Sequence, residues 1–154
     1  MTPGNSDVFD SSIAWKHGLA ANEKAFEILN AGGKPLDAAE KGVMVVESDP
    51  ENDSVGLSGY PDRDGHVTLD ACIMDESGNA GAVTFLEGID HPISVARLVM
   101  EKTPHVMLSG EGAQQFALQN GFRIRKGMSP KAKAAYNEWL KESKYKPQLV
   151  FSHA

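Results

Sequence analysis

Val67-Thr68-Leu69-Asp70-Ala71-Cys72-Ile73-Met74 alternates with the period of two that marks a strand, and Ala80-Gly81-Ala82-Val83-Thr84-Phe85-Leu86 reads as a second strand returning beside it. Glu76 to Asn79 supplies the turn, so an antiparallel hairpin is expected. The second strand is apolar on both faces, at Val83 and Phe85, and such a strand is usually covered on both sides.

Working outward from the hairpin, helical periods appear on either side. Leu19, Ala25, Phe26 and Leu29 share a face until Gly32-Gly33 stops the run. Pro35 suits the first turn of a second helix, where its missing N–H costs nothing. Leu36, Ala39, Val43 and Val46 form the expected buried stripe of that helix, and Asp49-Pro50 ends it. Residues 51–65 are turn-rich, too polar for core and too long for a simple turn; loops of that kind are disproportionately functional or lie at an interface.

Downstream, Pro92 opens a helix with Ile93, Ala96 and Met100 on one side and Val95 and Val99 beside them. His105 to Leu108 is a short apolar run that reads as a strand, and Gly110 and Gly112 lead into a helix carrying Ala113, Phe116 and Ala117. Ser129 and Pro130 cap and start a last helix lined by Ala132, Ala135, Tyr136, Trp139 and Leu140, and Leu149 to Phe151 reads as the start of a strand. Residues 1–12 read as a flexible leader and 13–154 as one portion of a single domain. The fold class is α+β. So few strands leave sheet edges that would pair with another chain, so the sequence reads as part of a larger fold.

Composition excludes several classes. The 154 residues carry 15 basic and 21 acidic side chains, for a net charge of −6, which argues against general nucleic-acid binding. Eight of the basic residues fall between Arg123 and Lys146, opposed there only by Glu138 and Glu142; a solvated helix face is the expected reading. Cys72 is the single cysteine, so no disulfide can form within the chain. No window supplies the ~18 apolar residues of a membrane span, and Met1 to Ser12 lacks the layout of a signal peptide.

Spacing alone reveals no catalytic constellation. The five histidines (His17, His66, His91, His105, His153) show no metal-ligand spacing, and no metal site is expected. Asp49, Glu51 and Asp53 begin like a calcium loop, but Ser54 and Tyr60 stand where glycine and glutamate are needed, so polar turns account better for them. Gly110-Glu111-Gly112 is half of a dinucleotide fingerprint without its third glycine. Asn52-Asp53-Ser54 is a glycosylation sequon of the kind common by chance. Trp15 is either an aromatic anchor on the core or a rigid π-surface in a ligand pocket. Ser54 reads as a turn residue, with no base placed to activate it.

Several stretches nonetheless occur together in order. They are Trp15-Lys16-His17-Gly18-Leu19-Ala20-Ala21-Asn22, Gly32-Gly33-Lys34-Pro35-Leu36-Asp37-Ala38, Asp53-Ser54-Val55-Gly56, Pro61-Asp62-Arg63-Asp64-Gly65 and Leu69-Asp70-Ala71-Cys72-Ile73-Met74-Asp75. The longest runs from Pro92-Ile93-Ser94-Val95-Ala96-Arg97 through Thr103-Pro104-His105-Val106-Met107-Leu108. Over Trp15 to Phe122 the chain resembles the α subunit of the glycosylasparaginase family of N-terminal nucleophile hydrolases.

That resemblance implies a four-layer αββα sandwich completed by a β subunit cut from the same precursor, and an (αβ)2 heterotetramer. It implies cleavage of the amide that joins N-acetylglucosamine to asparagine, with no cofactor. The nucleophile would be a threonine at the start of the β chain, after Ala154, so this chain alone would be inactive. Trp15 resembles the family's substrate-binding tryptophan, Ser54 the loop serine that positions the nucleophile's amino group, and Asp70 falls at a position expected to be structural. His153 and Ala154 would form the processing junction, with Ala154 where the family usually has aspartate. Family members suggest a lysosomal or periplasmic location. The alternatives are the α subunit of a plant-type L-asparaginase or isoaspartyl peptidase, and a non-catalytic partner protein.

Overall fold

The computed structural model describes residues 11–143, with side chains described from residue 15 onward. Its elements are α1 (Ser11–Asn30), α2 (Pro35–Glu47), a single 3-10 turn (Gly56–Ser58), β1 (Thr68–Met74), β2 (Ala80–Glu87), α3 (Pro92–Lys102), β3 (Met107–Ser109), α4 (Gly110–Gln119) and α5 (Pro130–Glu142). The leader up to residue 10, the strand start at Leu149 and the junction residues His153 and Ala154 lie outside the described residues.

The hairpin forms as its alternation requires. β1 and β2 pair antiparallel from Met74↔Ala80 to Thr68↔Glu87, and β3 adds on the far side of β2 in parallel, giving the order β1-β2-β3. The chain between β2 and β3 crosses over through α3, as a parallel pair demands. Gly81 makes the close packing of α3 on β2 possible: a Cβ there would sit 2.1 Å from the Ala96 carbonyl oxygen and 2.6 Å from the Met100 nitrogen. Val83 and Leu86 of β2, with Ile93, Val95 and Val99 of α3, are buried at the centre of this layer. Each such side chain contributes on the order of 1.5–3 kcal/mol when fully buried. Ala113 and Ala117 bring α4 into the same core.

Expected and observed elements differ in three places. The first helix begins at Ser11, eight residues before its apolar period becomes visible at Leu19. The stripe expected to be buried on α2 is only half so: Leu36 and Val46 are half-buried but Ala39 and Val43 are exposed, whereas Ala38, Glu40, Gly42 and Glu47 are buried. The cause is that α2 has two neighbours. It meets α1 at Gly42, whose added Cβ would lie 3.0 Å from the Ala21 carbonyl oxygen, and it meets α3 through carboxylates.

The third difference concerns β2: Gly81, Ala82 and Val83 are all buried, but beyond them one face is left open among the described residues. The register between Leu69 and Ala71 shifts, so that Thr84 and Phe85 together face Asp70 in a bulge. Phe85 takes φ 52°, a conformation a residue with a Cβ rarely adopts, and the residue is 58% exposed. Leu86 takes the buried position instead. Met74, Phe85 and Met107 therefore line an open sheet face while α3 covers the other.

Candidate functional site

The segment between α2 and β1 is held by its own polar groups. Asp49 Oδ1 accepts from the Glu51 N–H at 2.8 Å, which makes a turn of the would-be calcium ligands. Asn52 is buried; its amide donates to the Val46 carbonyl at 3.2 Å while its Oδ1 accepts from the Ser54 N–H at 3.1 Å. The sequon side chain is thus committed to the turn that presents Ser54. Gly56 follows at φ +66°, and a Cβ there would fall 2.1 Å from the Glu47 carbonyl oxygen, so glycine alone lets the loop return against the end of α2. The Tyr60 N–H donates to the Asp53 carbonyl at 3.0 Å and closes the loop behind Ser54.

Helix α1 and α5 are both fastened to this loop. His17 Nε2 lies 3.0 Å from Asp49 Oδ2, and Lys131 Nζ donates to the Glu51 carbonyl. Trp15, two residues before His17, is 75% exposed, so it is not the core anchor that composition allowed. Ser54 is also exposed. The structure therefore joins the segments that carry the two residues, through His17 and Asp49, and leaves both side chains open to solvent. Ser54 Oγ stands 3.5 Å from Asp53 Oδ1, the outer limit of a hydrogen bond. A carboxylate at that distance does not turn a hydroxyl into a nucleophile. The loop can position a reacting group but does not supply one.

Beneath the loop lies a polar network whose roles periodicity does not show. Glu47, 2% exposed, accepts from the Ile93 N–H at 3.1 Å and pairs with His91 Nδ1 at 3.1 Å. It thereby caps the start of α3, where His91 makes no side-chain cap. Beside Ile93, Ser94 Oγ donates to Glu40 at 2.5 Å, and one turn on Arg97 donates to Glu101 (2.7 Å), Asp37 (2.6 Å) and Glu40 (2.8 Å). The Glu101 bond, followed by those to Asp37 and Glu40, raises the guanidinium above its ordinary value despite partial burial. The polar residues of Pro92-Ile93-Ser94-Val95-Ala96-Arg97 are thus spent on clamping α3 to α2. The available sequence signal was the seven-residue spacing of Glu40 and Glu47, two turns on one face.

Asp70, expected from the resemblance to be structural, makes structural contacts. Its Oδ1 accepts from Thr84 Oγ1 at 2.6 Å and from the Phe85 N–H at 2.8 Å, so one carboxylate satisfies both residues of the bulge. The Thr84 hydroxyl, then the Phe85 N–H, holds this carboxyl below the usual range. Among the described residues no group of three His, Cys, Asp or Glu side chains could hold a metal ion, and no helix is long and apolar enough to cross a membrane.

Comparison with known proteins adds to this geometry. A family model described as Asparaginase matches residues 11–153. The chain is 58% identical over 133 residues to an N(4)-(Beta-N-acetylglucosaminyl)-L-asparaginase of Elizabethkingia miricola, covering 86% of this chain and 39% of that protein. It is 40% identical over 121 residues to the Rattus norvegicus protein of the same name, covering 78% of this chain and 35% of the relative. It is 42% identical over 122 residues to a Rattus norvegicus isoaspartyl peptidase/L-asparaginase, covering 79% and 35%. The chain spans less than two-fifths of the length of these relatives.

Proposed function

This chain belongs to the asparaginase family, and from that premise we propose that it is the α-subunit portion of an amidohydrolase that releases an aminosugar from glycosylated asparagine. The observation that carries the reading is the 58% identity, over most of the chain, to a protein named for that activity. The open sheet face lined by Met74, Phe85 and Met107 supports the structural half of the proposal. A second sheet supplied by a β subunit would cover it and complete a four-layer αββα sandwich, assembled as an (αβ)2 heterotetramer. Exposed apolar faces of that kind mark interfaces.

In this reading the nucleophile is a threonine at the start of the β chain. Its Oγ attacks the side-chain amide carbon of the substrate, and its own α-amino group takes the hydroxyl proton. The tetrahedral intermediate expels the aminosugar nitrogen, which leaves with that proton, and a β-aspartyl ester remains on the enzyme. Water then attacks the ester, releasing aspartate and returning the proton to the threonine oxygen. Ser54 serves as a positioning residue for the threonine amino group, which suits a hydroxyl held in a closed turn without a base of its own. Trp15 offers its exposed indole as one wall of the substrate pocket. A second reading, an isoaspartyl peptidase/L-asparaginase, is favoured by the 42% identity to the rat protein of that name.

The test is hydrolysis by the whole protein of N-acetylglucosaminyl-asparagine, L-asparagine and a β-aspartyl dipeptide, with N-terminal sequencing of any companion chain. Turnover of the glycosylated substrate, beside a companion that begins with threonine, is expected. A preference for the dipeptide would move the assignment to the second reading. A companion without an N-terminal threonine, and no hydrolysis, would leave a non-catalytic partner protein.

A further inference from the structure

Residues 60–63 and helix α5 enclose a groove of about 430 Å³, within the range of small-molecule sites. Its floor is aromatic. Tyr136 and Trp139 stack with ring centroids 6.0 Å apart and an angle of 19° between planes, and the exposed Tyr60 also lines the groove. Its rim is charged: Asp62, whose Oδ1 already accepts from the Asp64 and His66 N–H groups at 2.9 and 3.0 Å, leaves its second oxygen as an acceptor, and the Arg63 guanidinium, held by Asp64 at 2.9 Å, brings N–H donors. The walls are tied together, because Tyr136 Oη donates to the Arg63 carbonyl at 2.9 Å.

We propose that this groove is a subsite for a pyranose ring of the sugar-bearing substrate. A pyranose has an apolar face of C–H groups and a rim of hydroxyls, which is the complement of flat aromatic rings bordered by an acceptor and a donor. Position decides in favour of a substrate subsite over an unrelated surface cleft. The Tyr60 N–H is bonded to the carbonyl of Asp53, the neighbour of Ser54, and Lys131 fastens α5 to the carbonyl of Glu51. Both walls of the groove are therefore anchored in the loop that carries Ser54. The inference rests on the reading of the substrate as a glycosylated asparagine, and it assigns the glycan end to a place the aspartyl end does not occupy.

The probe is N,N′-diacetylchitobiose, followed by saturation-transfer NMR on the assembled whole protein. The wild type is expected to bind it, Trp139→Ala to weaken it on the order of tenfold, and Trp139→Phe to retain most of it. Tyr60→Ala, at an exposed ring outside α5, gives the same loss if Trp139→Ala disturbs the helix. In parallel, the KM ratio between N-acetylglucosaminyl-asparagine and a sugar-free β-aspartyl amide should rise several-fold in Trp139→Ala. Equal binding by wild type and both alanine variants, or none by the wild type at millimolar sugar, overturns the subsite. Hydrolysis of the glycosylated substrate without chitobiose binding refutes the groove and keeps the activity. Binding that depends on Trp139, without hydrolysis, keeps the groove as a sugar site and refutes the activity.

Discussion

Replacing Glu47 with alanine tests how much of the fold hangs on one buried carboxylate. Glu47 lies at the end of α2, is 2% exposed, and its two oxygens meet the Ile93 N–H and the His91 ring at 3.1 Å each. Alanine removes a helix cap worth about 1 kcal/mol. It also leaves the Ile93 N–H buried without an acceptor, at about 1–3 kcal/mol. The cap and the orphaned N–H are one interaction, so the expected loss in unfolding free energy is about 2 kcal/mol. Glutamine keeps a carbonyl oxygen of the same reach for Ile93 and should lose only about 1 kcal/mol, the difference between a charged and a neutral acceptor. Urea unfolding of the assembled protein, monitored by far-UV circular dichroism, measures both. An alanine variant within 0.5 kcal/mol of wild type, or a glutamine variant as damaged as alanine, would refute the account of Glu47 as the cap of α3.

Gly56→Ala should cost several-fold in kcat, because its Cβ meets the Glu47 carbonyl oxygen and displaces the turn that presents Ser54; unchanged kinetics would sever Ser54 from the chemistry. Trp15→Ala should raise KM while stability stays within about 0.5 kcal/mol, as for an exposed residue away from packing, and Ser54→Ala should lower kcat more than it alters KM. Asp70→Asn addresses pH. The folded carboxyl is held below its unfolded value of ~3.9, so its contribution is complete above that value and is lost as pH falls through the folded one. The wild type should therefore lose stability below about pH 4 more steeply than the variant, and parallel acid-unfolding curves would exclude Asp70 as a source of that slope.

Much of the fold is legible from local signals. Ser129 accepts from the Ala132 N–H at 3.1 Å and Pro130 opens α5, as the residue types demand, and the hairpin turns where Glu76 to Asn79 places it. What was hidden is what depends on two segments meeting. Burial of Glu40 and Glu47 in preference to Val43 cannot be read from the period of α2, because their partners Arg97, Ser94, His91 and Ile93 lie about fifty residues away. The parity of β2 fails at Phe85 for the same reason, since the carboxylate that stabilises its positive φ belongs to β1. At the candidate site, residue type leaves Trp15 open between anchor and pocket wall and makes Ser54 a turn residue, and only the family resemblance gives the two a site role. Spacing could not supply the His17–Asp49 contact between their segments, nor the groove that brings residues 60–63 to α5.

The bulge opposite Asp70 also acts as a register lock. Sliding one strand by a single residue exchanges every inward and outward side chain, which the burial of one face under α3 already opposes. Only the observed alignment lets a single carboxylate reach both the Thr84 hydroxyl and the Phe85 N–H, so a slipped hairpin would forfeit two charged hydrogen bonds at once. Met74 and Phe85, on the two strands the bulge locks together, consequently keep a fixed spacing, so whatever meets that face finds a ruled template rather than a sliding one.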